Sequence, residues 1–271
     1  MNMEFGICLQ SVISVRSEPS HSSEMVTQIL FGELYRITGN ENQWFRVRLT
    51  YDNYEGWINQ KQSVLLNEEE FVRLINAETP SSLDLVQLLS NETLRTITPI
   101  LLGSSLPGIA GQKFSIAENL FSFDGLVADA TLLETAQTTQ ERQKAKQTIV
   151  DDSMLYLHAP YLWGGRTPFG IDCSGLIQMI YKLKKIKLLR DAAQQATHGE
   201  SLNFISEAEP GDLAFFDDAE GNIVHVGMMV DKTRIIHASG KVRIDFIDHE
   251  GIFNEEEKQY THKLRVIKRI I

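Results

Sequence analysis

The chain has 271 residues, of which 42% are hydrophobic, 23% charged and 8% aromatic. This composition is typical of a globular protein and excludes a disordered chain, a collagen and a disulfide scaffold. The formal net charge is −10 at pH 7. Because the chain also lacks a dense run of Lys and Arg, nucleic acid and acidic membrane surfaces are poor candidates for a partner. At roughly 150 residues per domain, the length predicts about two domains.

The first ten residues carry Glu4 and no positively charged segment, so they do not resemble a secretory signal peptide. No apolar run approaches the ~18 residues of a membrane helix. We therefore expect a cytoplasmic protein that does not enter membranes. An extracellular or periplasmic location is the alternative if Met1 is not the native start. The oligomeric state does not follow from the sequence, and a monomer is favoured.

Residues 1–66 alternate short apolar runs with turn signals, which predicts a small all-β barrel. The predicted strands are Val12–Val15, Met25–Phe31, Leu34–Ile37, Trp44–Leu49 and Gly56–Ile58. Residues 67–90 are rich in Leu, Val and Glu, and we interpret this segment as a helical linker.

Residues 91–132 echo the first module. Gln43–Val47 is answered by Gln112–Ile116, and Tyr54–Ile58 by Phe123–Val127. The order is kept while the spacing shortens, which indicates a second, divergent β module that arose by duplication. Chance similarity between two β segments is the alternative.

Residues 133–271 place helices before strands. Thr138–His158 is predicted to be helical, and a second helix is predicted to begin near Cys173, after a glycine-rich loop. The predicted strands are Asp212–Phe216, Ile223–Val230, Arg234–Ala238, Val242–Phe246 and a final one at Lys263–Ile270. Helices followed by antiparallel strands predict an α+β domain.

The two cysteines have different settings. Cys8 lies in an apolar, strand-like run and is interpreted as a small core residue. Cys173 follows Asp172, which is well suited to be a helix N-cap. The positive end of a helix favours an anion, so we expect the pKa of the Cys173 thiol to be lowered and a thiolate to be available near neutral pH.

A thiolate also needs an imidazole to protonate the leaving amine. His225 and His237 lie in apolar runs on either side of the turn Asp231–Thr233, at similar distances from it. The two should therefore be near neighbours across a β-hairpin, one as acid and base and the other holding its ring in the useful tautomer. The remaining histidines are interpreted as surface residues: His21, His158, His198, His249 and His262.

These residues also belong to recognisable motifs: Tyr161-x-Trp163-Gly164-Gly165, Asp172-Cys173-Ser174-Gly175, Pro210-Gly211-Asp212-Leu213, His225-Val226-Gly227 and His237-Ala238. Together, over about residues 140–271, they resemble the motifs of the NlpC-type cell-wall peptidases, which are papain-like cysteine peptidases of bacteria. In the first module, Val15–Pro19 and Tyr54–Ile58 resemble bacterial SH3-like domains. The combination resembles the γ-D-glutamyl-L-diamino acid endopeptidases of the dipeptidyl-peptidase VI type, which release L-alanyl-D-glutamate from stem peptides.

The resemblance implies a papain-like catalytic domain at 133–271 preceded by two SH3-like modules at 1–66 and 91–132. Within it, Cys173 would be the nucleophile, His225 the general base and acid, and His237 the residue that orients His225. The resemblance places Tyr161 beside the nucleophile, in the oxyanion site. It also implies that three further residues bind the peptide substrate: Trp163, Asp172 and Ser174.

Arg190–Gln195 resembles the family's Arg-Asp-x-x-x-Gln segment, which implies that Asp191 contacts the free amine of an N-terminal L-alanine. A buried ammonium needs carboxylates around it, so this pairing is physically sensible. A helix-capping or surface Asp is the alternative. Glu24 and Tyr54 are candidates to close that subsite from the first SH3-like module, with Glu18 as an alternative to Glu24.

We therefore expect hydrolysis of the γ-D-glutamyl-diamino acid bond in short muropeptides with a free N-terminal L-Ala, during murein peptide recycling, without a metal or organic cofactor. One alternative is a wall-binding endopeptidase that acts on intact peptidoglycan. Another is a non-catalytic SH3-like binding protein, which a thiol pKa well above 8 at Cys173 would favour.

Overall fold

The computed structural model describes residues 4–271. The chain divides into two compact units, Met1–Asp129 and Ala130–Ile271. Within the described residues, the first unit has one α-helix and the second has four. No helix in residues 4–271 is long and apolar enough to cross a membrane.

Residues 4–66 form one antiparallel sheet of seven strands: β1 (Glu4–Ile7), β2 (Val12–Arg16), β3 (Met25–Leu30), β4 (Leu34–Glu41), β5 (Trp44–Leu49), β6 (Glu55–Asn59) and β7 (Val64–Leu66). Their spatial order is β3-β2-β6-β5-β4-β1-β7. The two-residue period of a strand buries Ile13 and Val15 of β2. These residues share a core with Cys8, which is fully buried. The five predicted strands and the interpretation of Cys8 as a core residue are confirmed.

The helix α1 (Glu68–Ile75) is shorter than the predicted helical linker. Asn67 caps it by accepting a hydrogen bond from the backbone N–H of Glu70, and three glutamates in the first turn suit its positive end. Beyond Ile75 the predicted helix is wrong, because residues 86–91 form a strand. Their apolar residues suit a helix or a strand, and pairing with a neighbouring strand satisfies their backbone N–H and C=O groups.

That strand is β8 (Val86–Asn91), and it forms a second antiparallel sheet with β9 (Thr96–Leu101), β10 (Lys113–Ile116) and β11 (Asn119–Ser122), in the order β10-β11-β8-β9. The sheet shares a hydrophobic core with the first module. Phe31 contacts Phe121 edge to face, with ring centroids 5.6 Å apart, and Phe121 stacks on Phe114 at 5.3 Å. The two β modules are therefore packed as one unit. The boundary at residue 91 and the SH3-like character of 91–132 stay predictions.

The helices of the second unit are α2 (Thr131–Thr135), α3 (Thr139–Ser153), α4 (Cys173–Leu183) and α5 (Ala192–Gln195). A capping box between Thr138 and Glu141 begins α3. Every residue of α4 is buried, which agrees with its apolar composition. The predicted helices at Thr138 and near Cys173 are confirmed, although the first ends in a 3₁₀ turn at Met154–Tyr156.

The strands of the second unit are β12 (Arg166–Thr167), β13 (Gly170–Ile171), β14 (Glu200–Leu202), β15 (Leu213–Asp217), β16 (Ile223–Met229), β17 (Arg234–Ser239), β18 (Lys241–Ile247), β19 (Gly251–Asn254) and β20 (Gln259–Arg269). Seven form a sheet in the order β14-β20-β15-β16-β17-β18-β19, and β19 also pairs with β20, so the sheet curls back on itself. The helix α4 packs against β16 and β17. The predicted α+β class of this unit is confirmed.

Candidate active site

Asp172 determines where α4 begins. Its Oδ1 accepts a hydrogen bond from the backbone N–H of Gly175 at 2.6 Å, as an N-cap should. Arg190 donates to both carboxylate oxygens, at 3.0 Å to Oδ1 and 2.5 Å to Oδ2, and both side chains are buried. The predicted cap is confirmed, and it places Cys173 at the first position of the helix.

The glycine-rich loop of residues 161–170 lies against the start of α4. A Cβ on Gly175 would lie 2.3 Å from the carbonyl oxygen of Gly165, so this close approach requires glycine. Gly164 has a φ of +76°, and its N–H donates to Oδ2 of Asp172 at 2.8 Å. The cap therefore holds both the helix and the loop.

Cys173 is buried, with 7% of its surface exposed. Burial raises the pKa of its thiol to about 11, and the Asp172 carboxylate adds to the rise, while backbone hydrogen bonds to Val226 and Ser174 oppose it. The predicted lowering of the pKa is wrong because desolvation of a thiolate outweighs the field of the helix end. Cys173 is therefore a thiol at neutral pH and needs a base to take its proton.

His225 on β16 and His237 on β17 are buried neighbours. Nε2 of His225 lies 2.9 Å from Nδ1 of His237. The residue directly opposite His237 is Gly227, and a Cβ there would lie 3.0 Å from the Cβ of His237. The glycine leaves room for the two rings to meet across the diagonal of the ladder. The predicted proximity is confirmed, with an offset of two residues.

Asp245 on β18 extends this chain of hydrogen bonds and was not predicted. Its Oδ2 lies 2.9 Å from Nε2 of His237, and Arg243 donates to its Oδ1 at 2.9 Å. Burial opposes ionisation of Asp245, but hydrogen bonds from His237 and Arg243 outweigh it and hold the pKa of the carboxyl below its usual value. Asp245 is thus a carboxylate.

An ionised carboxylate only accepts hydrogen bonds, so Nε2 of His237 carries its proton and Nδ1 is an acceptor. His225 must then donate from Nε2, which leaves the lone pair on its Nδ1 to accept a proton. The thiol of Cys173 lies close by, since it is hydrogen-bonded to the backbone of Val226, the residue after His225. Burial, aided by the rings of His237 and His262, lowers the pKa of His225 well below its usual value, so this lone pair is present at neutral pH. The order Asp245, His237, His225 therefore supplies a base in the required tautomer.

His262 on β20 belongs to the same cluster. Its ring stacks on that of His225 with centroids 4.1 Å apart and an interplanar angle of 27°. Burial and the ring of His237 lower the pKa of His262 to about 4. Its interpretation as a surface residue was wrong, because the closure of β20 onto β15 and β19 brings it inward. Among the other histidines, His21, His158 and His249 are exposed and His198 is half-buried.

Tyr161 and Trp163 are aromatic residues of the glycine-rich loop that precedes α4. Burial, followed by the fields of Cys173 and Asp172, raises the pKa of Tyr161 to about 12, so its hydroxyl is protonated and able to donate. The interaction with Cys173 agrees with the predicted position of Tyr161, while its role in the oxyanion site stays a prediction. Trp163 is 59% exposed and therefore offers an aromatic surface to a ligand. Its role in substrate binding stays a prediction.

Ser174 lies in the first turn of α4, and Asp191 lies at the start of α5. Oγ of Ser174 accepts a hydrogen bond from Arg190 at 2.9 Å, and its carbonyl accepts one from Gln195 at 3.0 Å. Asp191 is the N-cap residue of α5 and is half-buried. This position agrees with the capping alternative, while the roles of Ser174, Asp191 and Asp172 in substrate binding stay predictions. Arg190 and Gln195 support the site, because their hydrogen bonds join the start of α5 to the start of α4.

Glu24 and Tyr54 lie in the first unit. Glu24 is exposed in the turn before β3, and Tyr54 is half-buried against the core of the first module. The exposed alternative, Glu18, lies in the same turn region, where its carbonyl accepts a hydrogen bond from Ser23. Their proposed contribution to the amine subsite stays a prediction.

Two family models match this chain. The model of the NlpC/P60 family matches residues 158–263, and that of the bacterial dipeptidyl-peptidase SH3 domain matches residues 15–62. Residues 158–263 are an NlpC/P60 domain. The match spans all members of the site from Tyr161 to His262, and the first β module is an SH3 domain of the dipeptidyl-peptidase type.

Similar proteins extend over nearly the whole chain. Dipeptidyl-peptidase 6 of Lysinibacillus sphaericus is 26% identical over 90% of this chain and 92% of its own length. A γ-D-glutamyl-L-lysine dipeptidyl-peptidase of Bacillus subtilis is 26% identical over 86% of this chain and 74% of its own. A solved NlpC/P60 family protein from Bacillus cereus has the same fold, with a TM-score of 0.79 at 18% identity over 98% of this chain and 99% of that one.

The NlpC/P60 domain confirms the predicted papain-like fold and the predicted class of enzyme: the chain is a hydrolase, a cysteine peptidase. A high thiol pKa was the criterion that would favour a non-catalytic protein, and the thiol of Cys173 meets it. The criterion is insufficient here, because the thiol contacts the backbone of Val226, and the neighbouring His225 is a neutral imidazole that can act as a base.

Proposed function

We propose that this peptidase hydrolyses the γ-D-glutamyl-diamino acid bond of short peptidoglycan stem peptides and releases L-Ala-D-Glu. The observation that carries the proposal is the buried series Asp245–His237–His225 next to Cys173. It occurs in a chain similar, over most of its length, to proteins named for cleavage at γ-D-glutamyl-L-lysine. The SH3 domain that precedes it is of the dipeptidyl-peptidase type.

In the proposed reaction, Nδ1 of His225 takes the thiol proton as the sulfur of Cys173 attacks the γ-carbonyl carbon. The carbonyl π bond breaks and its oxygen becomes an oxyanion. The carbonyl then re-forms as the C–N bond breaks, His225 gives the proton to the departing amine of the diamino acid, and an acyl-enzyme remains. A water molecule, deprotonated by the same imidazole, attacks the thioester carbon. The C–S bond breaks, the imidazolium returns its proton to the sulfur of Cys173, and the dipeptide is released.

Two further groups assist these steps. The hydroxyl of Tyr161 is protonated over the whole physiological range, so it can donate a hydrogen bond to the oxyanion. The carboxylate of Asp245 stabilises the positive charge that develops when His225 is protonated, acting through His237. Because the three side chains are buried, the electrostatic interaction between the protonated imidazole and the carboxylate is stronger than it would be in water.

The free amine of the N-terminal L-Ala would be bound by Asp191. This residue follows Arg190, whose side chain contacts both Asp172 and Ser174 beside the nucleophile. A carboxylate there can pair with an ammonium group and select peptides that lack a blocking sugar. The substrate would therefore be a free muropeptide rather than intact wall.

The decisive assay compares L-Ala-γ-D-Glu-L-Lys with its meso-diaminopimelate analogue, each with and without N-acetylation, and quantifies the dipeptide by mass spectrometry. Cys173→Ala should abolish release, whereas the matched variant Cys8→Ala should retain it. N-acetylation should reduce the rate, and Asp191→Asn should make the two rates similar. Equal rates on free and acetylated peptides would refute the amine subsite, and activity on intact sacculi would favour a wall endopeptidase.

The cytoplasmic location and the monomeric state stay predictions that cell fractionation and light scattering can test. Residual activity in the Cys173→Ala protein would contradict the mechanism itself. Equal rates of the wild-type protein on free and N-acetylated peptides would contradict only the proposed substrate.

A further inference from the structure

Three imidazoles meet at the active site, although the proposed reaction uses only two of them. One ring nitrogen from each of His225, His237 and His262 lies within 4.8 Å of the others. We propose that this triple-histidine site binds Zn²⁺ and that the bound ion inhibits the peptidase. The site is distinct from simple capture of zinc by the thiol, because it does not require Cys173.

The three ring nitrogens are near enough to one another to reach a single zinc ion once the side chains adjust. Zinc prefers imidazole ligands at about 2.0–2.1 Å in a tetrahedral arrangement, which separates the ligand atoms by roughly 3.3 Å. The nitrogens of His225 and His237 are 2.9 Å apart. His262 stacks on His225 and meets His237 edge to face, with centroids 5.6 Å apart. Because the stacked ring of His262 is nearly parallel to that of His225, its side chain must rotate before all three nitrogens can point to one ion.

The residues around the rings also suit a metal. Histidines that ligate zinc commonly donate their other N–H to a carboxylate, which fixes the tautomer. His237 has this arrangement, since its Nε2 lies 2.9 Å from Oδ2 of Asp245 and its Nδ1 faces the cluster. The carboxylate is held in turn by Arg243.

A route for a cation leads to His262. This residue lines a surface cavity of about 500 Å³ whose wall also carries Asp217, Asp218, Glu250 and Lys263. Asp217 also pairs with Arg265, 3.7 Å from its Oδ2, so the three carboxylates face two cationic side chains. The remaining excess of negative charge favours the entry of cations. Within residues 4–271, Oδ1 of Asp217 is buried and accepts no hydrogen bond.

Inhibition follows from the single proton of a neutral imidazole. A metal on Nε2 of His225 breaks the hydrogen bond to His237, and the ring's one proton then resides on Nδ1, so no proton is released to solvent. With Nδ1 occupied, His225 cannot accept the proton of the Cys173 thiol. This step rests on the proposed mechanism, whereas metal binding itself does not.

Binding is best measured in the Cys173→Ala protein, which removes the thiol as a ligand and needs no activity. Titration calorimetry with Zn²⁺ should show one site, and Co²⁺ should give the visible spectrum of a tetrahedral complex. His262→Phe should weaken binding at least about 10-fold through loss of one ligand. His262→Gln serves as a second, polar variant if the first fails to fold, and His21→Phe removes an exposed imidazole of the first unit as a control.

Absence of a site in Cys173→Ala, or equal affinity in the folded His262 variants, would overturn the proposal. In the active enzyme, Zn²⁺ should inhibit peptide hydrolysis, and the concentration for half inhibition should rise at least about 10-fold in His262→Gln, measured against that variant's own metal-free rate. Metal binding without inhibition would overturn the inhibitory step alone, and a failure of the substrate proposal would leave the binding result unchanged.

Discussion

The substitution Asp245→Asn should lower kcat and leave KM nearly unchanged. Asn has the size of Asp, but its amide can donate a hydrogen bond to Nε2 of His237. His237 then carries its proton on Nδ1, so Nε2 of His225 must accept, and the proton of that ring moves to its Nδ1. In this tautomer His225 has no lone pair for the thiol of Cys173.

The size of the effect follows from the bond that is lost. Asp245 and His237 are 2.9 Å apart in a buried setting, and a hydrogen bond to a charged group contributes about 1.5–3 kcal/mol. If that contribution is made in the transition state, kcat should fall about 10- to 150-fold. Binding of the peptide should change little, because neither side chain is assigned to a substrate subsite.

The assay is steady-state release of L-Ala-D-Glu from the free tripeptide, with urea unfolding of each variant to confirm the fold. Asp248→Asn is a suitable control, since that residue lies just beyond the same strand and its carboxylate bonds to Tyr260 and a turn backbone. An unchanged kcat in a folded Asp245→Asn protein would refute the tautomer argument. A rise in KM alone would instead place Asp245 in substrate binding.

Three further predictions concern the nucleophile and its support. In a Cys8→Ala background, iodoacetamide should alkylate Cys173 slowly at neutral pH, and the rate of alkylation should rise with pH toward the thiol pKa of about 11. An alkylation rate that stops rising below pH 8 would contradict the conclusion that burial raises this pKa. Gly175→Ala should lower the free energy of unfolding by about 1–3 kcal/mol, since its Cβ would lie 2.3 Å from a backbone oxygen. Gly39→Ala, whose Cβ would meet no atom closer than 3.4 Å, should have little effect, and equal losses in the two variants would count against the close approach. Arg190→Met should lower the free energy of unfolding by about 3–5 kcal/mol in urea titrations, because it leaves a buried carboxylate without its cation, and full stability would show that the pair is not needed.

The amino-acid sequence by itself predicted the features that depend on neighbouring residues. Asp172 before an apolar run, preceded by glycines, located the start of α4 and thus the position of Cys173. Similar distances from one turn located His225 and His237 on a common hairpin. These predictions succeed because helix caps and tight turns are local interactions.

Only the tertiary structure revealed the rest of the site. Asp245 reaches His237 because the register of β17 and β18 sets Asp245 opposite Ile235, one diagonal step from the imidazole. His262 joins the cluster because β20 closes the sheet against β15 and β19. The pKa of Cys173 is raised rather than lowered because packing of α4 removes water from the thiol. Register, closure and desolvation arise from contacts between residues distant in the chain, so no local pattern could show them.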